Sequence, residues 1–463
     1  MQRINGLQRS GWEQLVLQQG LVYSPTPKPD GSIYSYWKEG PYYSLGLSEI
    51  TLLETAAKTI FEMLIEAGDY VVAHPEIMKK MAIPKWTWAQ IIKTWNQEPA
   101  WGSVYGRYDI RFGGFDHKDS SLRQPKLYEF NADTPTCLVE AAFAQWKWLR
   151  QTGQGHDQWN NISEQLVLAW KRNLDYIEGA LGHKPTVHFA CSYTEESGED
   201  VMNTLMLLDT CKNAGYKVKT VYIENLVLGE DGRFYDEQGE HIDVIFKLYP
   251  WEFMVTEEFG RACFKDMENI GKRNHQGDYV GGTIWIEPPY KMLWSNKGIL
   301  AVLWKLFSND PEKSCYLIPT WFDGEQPKSL KDYVKKPLLS REGANIVTVR
   351  NGKVTNEVPG DYGREGYIVQ AYAPPPEFEA EDGTAYPVLG VWMVDGESAG
   401  MGVRESVNNP ITDNISYFVP HSIVDGPNRN AYREPIVVGT DQPATATSLP
   451  RYATFGDPTF GRK

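Results

Sequence analysis

Apolar residues recur at helical spacing in several stretches of the chain. The longest stretch, residues 48–68, begins at Ser48, a suitable N-cap, and ends at Gly68, a suitable C-cap. Its apolar positions lie three and four residues apart, which is the pattern of an amphipathic helix. The other predicted helices cover residues 138–150, 163–181, 199–214 and 297–306. No internal repeat relates these segments.

Runs of β-branched and apolar residues predict strands between and after the helices. The first predicted strands cover residues 186–190, 218–223 and 242–248. Because the helix at 199–214 separates the first two, the pattern favours a small α/β layer with parallel pairing. Beyond residue 290 the pattern is mixed, with strands predicted near residues 344–350, 367–372 and 388–394.

Length and composition are those of a folded protein with several domains. At roughly 150 residues per domain, the 463 residues suggest about three units. The 41% hydrophobic and 23% charged residues lie near the average of globular proteins, which excludes wholesale disorder. The segment 426–463 differs because it lacks any apolar period, and we expect it to form an extended tail.

The net charge narrows the classes of partner. Lys and Arg number 46 against 60 Asp and Glu, which gives a net charge of −14. A general nucleic-acid binder or an anionic-membrane binder depends on a basic surface, so neither is expected. No run reaches the roughly 18 apolar residues of a membrane span, and the N-terminus lacks the apolar core of a signal peptide. The five cysteines contain no CxxC pair, so we expect reduced thiols in a cytoplasmic protein.

Several familiar catalytic signatures are absent from the sequence. GxxxxGK[ST] does not occur, since Arg273 follows Gly271 and Lys272, and no GxGxxG follows a predicted strand. HExxH is also missing, and the eight His residues show no ligand-like pairing. P-loop, Rossmann and zincin sites are therefore not expected.

A group of charged residues lies instead in strand-like, apolar surroundings. Glu129 and Asn131 are two residues apart, so on a strand they share one face. If the RYD segment at residues 107–109 pairs beside that strand, Asp109 joins them. Two carboxylates and a carboxamide oxygen suit Mg²⁺ held against substrate phosphates, because Mg²⁺ usually keeps only one or two protein carboxylates. On spacing alone, the alternative is an ordinary polar edge of a sheet.

Two lysines and two arginines add candidate chemistry. Lys297 begins a predicted helix, and Lys is a natural point-charge partner for phosphate. Lys336 precedes a short loop with Arg341 and a glycine, which could close over a triphosphate and exclude water. Arg404 ends a strand-like run, where it could stabilise a developing oxyanion. The alternatives are a surface hairpin for the loop and a turn with a solvated arginine for Arg404.

Taken together, these motifs resemble one family. The segments that carry the resemblance are RYD, KLYEFNADTPT, EDVMNTLMLL, KLYPWEF, SNKGILAVLW, KPLLSREGANI, YIVQAYAP and GMGVRES. The sequence is similar to the synthetase domain of glutathionylspermidine synthase and to its stand-alone relatives, the acid–amine ligases, which have an ATP-grasp fold. The resemblance implies an α+β or α/β protein with mixed sheets and helices. It also implies rearranged connectivity, because the candidate metal ligands precede the lysines.

The same resemblance implies a role for each candidate residue. The implied Mg²⁺ ligands are Asp109, Glu129 and Asn131. The implied ATP contacts are Arg107, Lys297, Lys336, Gln370 beside the adenine, and Arg341 in a mobile lid. The implied catalytic residues are Arg107 beside the transferred phosphate and Arg404 near the acid substrate. The implied substrate contacts are the hydroxyls of Thr134 and Thr136 for the acid, and the acidic stretch with Glu199 and Asp200 for the amine.

The activity implied is an ATP-dependent carbon–nitrogen ligase that works through an acylphosphate. Its expected substrates are a glutathione-like peptide carboxylate and a polyamine-type amine. Residues 1–150 would contribute the metal-binding strands, 151–290 an α/β substrate domain, and 291–425 the nucleotide-binding region. An amidase domain, present in bifunctional members, is not expected. The alternatives are a catalytically silent ATP-grasp protein that binds nucleotide or peptide, and a tryptophan-rich carbohydrate- or peptide-binding protein.

Overall fold

The computed structural model describes residues 1–27, 31–97, 103–341, 343–411, 416–430, 434 and 436. Most of the predicted tail, 426–463, lies outside the described residues. The described part of the chain alternates between helices and strands from its first residues to about residue 423. Within that part, no helix combines the length and the apolarity needed to cross a membrane.

The helices and strands have the following bounds. The α-helices are α1 (Trp12–Gln18), α2 (Leu47–Ala73), α3 (Pro75–Lys80), α4 (Trp88–Gln97), α5 (Gln145–Thr152), α6 (Ile162–Leu181), α7 (Glu199–Asn213), α8 (Trp251–Met254), α9 (Glu258–Met267), α10 (Lys291–Trp294), α11 (Gly298–Phe307) and α12 (Pro311–Ser314). The shorter turns are 3₁₀ at Lys85–Thr87, Ser120–Leu122 and Ile223–Asn225, and π-helical at Glu140–Ala144. The strands are β1 (Gln2–Asn5), β2 (Pro25–Pro27), β3 (Ile33–Ser35), β4 (Pro41–Leu45), β5 (Tyr105–Arg111), β6 (Lys126–Asn131), β7 (Thr186–Cys191), β8 (Lys217–Tyr222), β9 (Val227–Leu228), β10 (Phe234–Tyr235), β11 (Val244–Leu248), β12 (Ile284–Ile286), β13 (Thr320–Phe322), β14 (Tyr333–Pro337), β15 (Val347–Arg350), β16 (Lys353–Glu357), β17 (Tyr367–Ala371), β18 (Phe378–Ala380), β19 (Gly383–Val394), β20 (Glu397–Val407), β21 (Tyr417–Val419) and β22 (His421–Ile423).

Helix α2 confirms the strongest helix prediction but not its end. The helix continues past Gly68 to Ala73, so the prediction of a C-cap at Gly68 is wrong. A Cβ atom on Gly68 would overlap the ring of Trp95. Gly68 therefore stays in the helix and leaves room for the Trp95 ring to pack against it.

The predicted parallel α/β layer is confirmed. Its strands lie in the order β12-β11-β7-β8, and each neighbouring pair is parallel. Helix α7 connects β7 to β8 and packs against α6 on this layer. Nearly all residues of β7 and β11 are buried, and most are apolar, which is the pattern of a sheet covered from two sides.

The central sheet joins distant parts of the chain. Its strands lie in the order β21-β20-β19-β5-β6, and β18 also pairs with β19. Strands β5 and β6 come from the first third of the chain, whereas β19 and β20 come from its last fifth. The early strands therefore complete a sheet of the late region, which is the rearranged connectivity that the resemblance implied.

A third sheet, in the order β13-β17-β14-β15-β16, is antiparallel throughout. Helix α11 packs against β13 and β17, and its first six residues are buried. Lys336 and Gln370 lie on the same face of the β14–β17 pair, because each is an even number of residues from the partner of the other. Both side chains therefore extend from neighbouring strands on the same side of the third sheet.

The hairpin β19–β20 corrects one expectation about residues 396–404. Arg404 does not end its strand, because β20 continues to Val407. A Cβ atom at Gly400 would meet the backbone of Trp159, and one at Gly402 would meet the ring of Phe418. Residues 396–400 also spell GxSxG, but here the motif lies in a hairpin, whereas a nucleophile elbow joins a strand to a helix.

Candidate functional site

One face of the central sheet carries the candidate metal ligands. The register of β5 and β6 places Asp109 opposite Glu129 and Arg107 opposite Asn131. Side chains two residues apart on a strand point to the same face, so all four side chains share it. The condition stated from the sequence, that the RYD segment pairs beside Glu129, is therefore met.

Arg107 is held within this face by two hydrogen bonds. Its Nε donates to Oδ1 of Asp109 at 3.0 Å, and its Nη1 donates to the carbonyl oxygen of Thr136 at 2.5 Å. On the neighbouring strand β19, a Cβ atom at Gly390 would lie 3.0 Å from the Cδ of Arg107. The glycine thus leaves room for the arginine stem above the sheet.

Arg404 joins the same face from β20. Its backbone pairs with Val388 of β19, which places it two strands away from Asp109. A narrow cleft is lined by Arg107, Asp109, Cys137 and Arg404 among others. The alternative of a turn with a solvated arginine is therefore wrong, since Arg404 lies inside a strand and lines a cleft.

Lys297 bridges the central sheet and the third sheet. It precedes the first residue of α11, where its backbone N–H donates to the carbonyl oxygen of Leu338 at 2.9 Å. Its Nζ lies 3.2 Å from Oε2 of Glu129 and donates to the carbonyl oxygen of Ser340 at 2.5 Å. The ammonium group is consequently directed at the candidate metal face.

The pKa values of Lys336 and Glu129 reflect the opposite charges around them. The pKa of Lys336 is lowered to about 8, chiefly by burial, while Glu129 opposes the shift and Lys297 adds to it. Burial alone would raise the pKa of Glu129, but Lys297 and Lys336 bring it down to about 2. Lys297 and Lys336 therefore both lie near the Glu129 carboxylate, and ammonium groups placed together in this way can hold a further anion such as a phosphate.

Gln370 lies beside Lys336 with its amide group engaged. Its Nε2 donates to Oγ1 of Thr320 on β13 at 3.1 Å, and the side chain is buried. The segment that follows is joined to the central sheet, because the hydroxyl of Tyr128 donates to the carbonyl oxygen of Ala373 at 2.7 Å. Gln370 therefore lies where the third sheet meets the central sheet, which is consistent with a place beside a bound nucleotide.

The donor set fits a divalent cation. Asp109 and Glu129 lie side by side, and burial raises the pKa of Asp109, with Glu129 adding to the rise and Arg107 opposing it. The Nδ2 of Asn131 lies 3.5 Å from Oε1 of Glu129, so its carboxamide group adjoins that carboxylate. A cation between the carboxylates would remove their repulsion, and hard oxygen ligands of this kind suit Mg²⁺.

The loop after β6 (residues 132–137, the β6 loop) carries Thr134 and Thr136. Thr136 contacts Arg107 through its carbonyl oxygen, as described above. The Oγ1 of Thr134 accepts a hydrogen bond from Nη2 of Arg341 at 3.1 Å. Both threonines therefore adjoin candidate residues, and Thr136 does so through its backbone carbonyl group.

The predicted acidic stretch at residues 195–200 separates into different roles. Glu195 accepts hydrogen bonds from backbone N–H groups of the loop and of the start of α7, and Glu196 is exposed. Asp200 lies in the first turn of α7 and is half-buried. Glu199, beside it, approaches Cys137 and Glu140, with one ligand atom of each within 4.8 Å of the others.

Glu140 is the residue that the sequence analysis missed. It lies in the π-helical turn before α5, is completely buried, and accepts a hydrogen bond from the hydroxyl of Tyr23 at 2.9 Å. Burial and the neighbouring Glu199 raise its pKa to about 7. The sequence signal for Glu140 is a lone acid within the apolar run at residues 138–150, a pattern that predicts an ordinary helix.

Glu140 should make stability depend on pH. Its pKa rises from 4.5 to about 7 on folding, so its contribution is complete below about pH 4.5 and is lost as the pH rises through about 7. Because Gln mimics the protonated acid, Glu140→Gln should become more stable relative to the wild type between pH 5 and pH 8.5. At about 1.4 kcal/mol per pKa unit the difference is on the order of 3 kcal/mol.

Thermal unfolding of both proteins across this pH range measures the effect. The matched control is Glu196→Gln, since Glu196 is an exposed carboxylate three residues before Glu199. The melting temperature of the control should differ from that of the wild type by the same small amount at every pH. Parallel pH profiles for the wild type and Glu140→Gln would contradict the raised pKa.

Comparison with known proteins identifies the family. The family described as "Glutathionylspermidine synthase preATP-grasp" matches residues 3–424. The chain belongs to the glutathionylspermidine synthase family. A protein of Haemophilus influenzae named "Putative acid–amine ligase" is 34% identical over 444 residues, which cover 92% of this chain and 100% of that protein.

Two further relatives of the glutathionylspermidine synthase family are larger. Trypanothione synthetase of Crithidia fasciculata is 24% identical over 355 residues, which cover 75% of this chain and 51% of that protein. The bifunctional glutathionylspermidine synthetase/amidase of Escherichia coli K12 is 23% identical over 341 residues, which cover 71% and 51% respectively. The matched region thus spans about half the length of these two relatives.

A solved structure supports the fold. The glutathione synthetase-like effector GSS30 of Globodera pallida, in its apo form, matches with a TM-score of 0.51 at 12% identity. The match covers 89% of this chain and 96% of that one. This glutathionylspermidine synthase family member is therefore an ATP-grasp-like protein and an ATP-dependent carbon–nitrogen ligase, whose family uses ATP with a divalent metal.

Proposed function

We propose that this ligase joins a glutathione-like peptide carboxylate to a polyamine-type amine through an acylphosphate, with Mg²⁺ as its metal. The observation that carries the proposal is the face with Asp109 and Glu129, because Nζ of Lys297 lies 3.2 Å from the Glu129 carboxylate there. Cys137 lines the cleft beside Asp109 and also approaches the carboxylates of Glu140 and Glu199. The names of the glutathionylspermidine and trypanothione relatives support the same pair of substrates.

In the first step, a carboxylate oxygen of the acid attacks the γ-phosphorus of ATP, and ADP leaves. Lys297 and Lys336 hold the phosphates by charge, while Asp109, Glu129 and Asn131 would hold Mg²⁺. When bound, Mg²⁺ neutralises charge on the phosphate oxygens. Catalysis of this step consists mainly of positioning and of electrostatic stabilisation.

In the second step, the neutral amine attacks the acyl carbon, and inorganic phosphate leaves as the amide forms. Arg107 and Arg404 line one cleft, so both guanidinium groups are able to stabilise the tetrahedral oxyanion. Thr134 and Thr136 would orient the acid from the β6 loop. Each arginine should contribute on the order of 3 kcal/mol if it acts as an oxyanion donor.

The buried Glu140 and the half-buried Glu199 form the proposed amine site. Two carboxylates this close repel each other, and a bound ammonium group removes the repulsion. As the pKa of Glu140 is about 7, this carboxylate can also accept the proton that the attacking amine must lose. Asp200, in the same first turn of α7, adds negative charge.

The test is ATP turnover with Mg²⁺, glutathione and spermidine. We expect ADP release that requires both the acid and the amine, with the amide detected by mass spectrometry. The silent-protein alternative predicts that MgATP raises the melting temperature without turnover. That outcome would retain the nucleotide site and contradict the proposed substrates, whereas amide formation from this pair would establish them.

A further inference from the structure

The guanidinium of Arg341 joins parts of the chain that are far apart in sequence. It lies in the loop after β14 (residues 338–341, the Arg341 loop). Its Nη2 donates to Oε1 of Glu252 at 2.8 Å and to Oγ1 of Thr134 at 3.1 Å, and its Nε donates to the same Glu252 oxygen at 2.9 Å. One side chain therefore connects the nucleotide region to α8 and to the β6 loop.

Glu252 is presented by a rigid support. The residue before it, Trp251, donates its backbone N–H to Oδ2 of Asp133 at 2.8 Å. The other carboxylate oxygen of Asp133 accepts from Nζ of Lys247 at 2.7 Å, and both of these side chains are fully buried. The indole Nε1 of Trp251 donates to the carbonyl oxygen of Glu287 at 3.0 Å. Helix α8 therefore has little freedom to move, and Glu252 occupies a fixed position.

The same buried carboxylate supports the β6 loop. Asp133 is the residue before Thr134, so its bonds to Lys247 and Trp251 fix the position of the threonine as well as that of Glu252. Arg341 thus contacts Glu252 and Thr134, and the buried Asp133–Lys247 ion pair determines where these two groups lie relative to each other. Its Nη2 reaches both acceptors only when the Arg341 loop lies against this support.

We propose that Glu252 is a positioning residue that holds the Arg341 loop against the β6 loop and so keeps water from the acylphosphate. This inference rests on the proposed function for the intermediate, although the docking contact itself does not. The side chain of Glu252 is 12% exposed and that of Arg341 35% exposed, so the carboxylate is sheltered from bulk water and the guanidinium is partly exposed. A partly buried, charge-assisted pair of this kind is stronger than a surface pair.

Loss of docking has a defined chemical consequence. If water enters, its oxygen attacks the acyl carbon of the acylphosphate, the bond from that carbon to the phosphate oxygen breaks, and the free acid and inorganic phosphate result. ATP has then been converted to ADP without an amide. The ratio of ADP to amide therefore reports on water exclusion, while the total rate of ADP release does not.

The variant Glu252→Gln keeps the shape of the side chain and removes its charge. In the protein without nucleotide, we expect hydrogen exchange of the amides of residues 338–341 to become about fivefold faster, because a charge-assisted pair becomes a neutral one. With MgATP, glutathione and spermidine, the ADP-to-amide ratio should rise by a similar factor. The matched control is Glu258→Gln, an exposed carboxylate at the start of the next helix, which should change neither quantity.

The outcomes separate this proposal from the function on which it rests. Unchanged hydrogen exchange in Glu252→Gln overturns the docking role, whether or not the wild type makes an amide. Faster exchange with an unchanged ADP-to-amide ratio overturns the role in excluding water. If the wild type makes no amide from glutathione and spermidine, the proposed substrates fail, and the exchange measurement still decides whether Glu252 docks the loop.

Discussion

Replacing Asp109 by Asn is expected to reduce Mg²⁺-dependent ligation by about a thousandfold. Asp109 lies directly opposite Glu129, and burial keeps the two carboxylates from being solvated independently. The substitution removes one of the two negative ligands proposed for Mg²⁺. Losing a residue that only orients a metal ligand costs roughly 10- to 100-fold, so losing a ligand should cost more.

Steady-state ADP release measured over a range of Mg²⁺ concentrations tests this prediction. Asn has nearly the same size as Asp, so the β5–β6 pairing and the hydrogen bond from Arg107 need not be lost. The matched control is Asp116→Asn, an exposed aspartate that follows the same strand in the chain. Near-normal turnover of Asp109→Asn at any Mg²⁺ concentration would contradict the metal assignment. Loss of activity in Asp116→Asn would show that the effect of removing a carboxylate is not specific to Asp109.

The local patterns in the sequence predicted local geometry well. A two-residue spacing was sufficient to place Glu129 and Asn131 on one face, because strand geometry alone determines that relation. The parallel layer followed from strands separated by a helix. Gly68 was misread because a glycine near the end of a helical pattern fits a C-cap as well as a close contact, and only the position of Trp95 distinguishes them.

The parts of the site that depend on long-range contacts required the structure or the resemblance. No spacing connects Glu252 to Arg341 or Glu140 to Glu199, since each pair is joined only by packing between distant elements. The acidic stretch illustrates the same limit. The resemblance implied one acidic stretch at residues 195–200 for the amine, but the loop before α7 directs Glu195 to backbone N–H groups and leaves Glu199 near Glu140.

Replacing Lys247 by Met should destabilise the protein by about 3 to 5 kcal/mol, the usual cost of breaking a buried ion pair. The Nζ of Lys247 lies 2.7 Å from Oδ1 of Asp133, and neither side chain is exposed. Burial lowers the pKa of Lys247, with Asp133 opposing the shift. The variant leaves the Asp133 carboxylate buried with only the N–H of Trp251 among the hydrogen bonds described above.

A comparison with an exposed pair isolates the contribution of burial. The Nζ of Lys171 also lies 2.7 Å from a carboxylate oxygen, Oδ2 of Asp175, but the two side chains are 60% and 51% exposed, so Lys171→Met should cost less than about 1 kcal/mol. Urea unfolding measures both variants. In the double variant Lys247→Met, Asp133→Asn the loss should be smaller than in Lys247→Met alone, because no unpaired charge remains buried. Equal losses for Lys247→Met and Lys171→Met would mean that the buried pair does not support the β6 loop and α8, and the rigid support inferred for Glu252 would then have to come from the packing of Trp251.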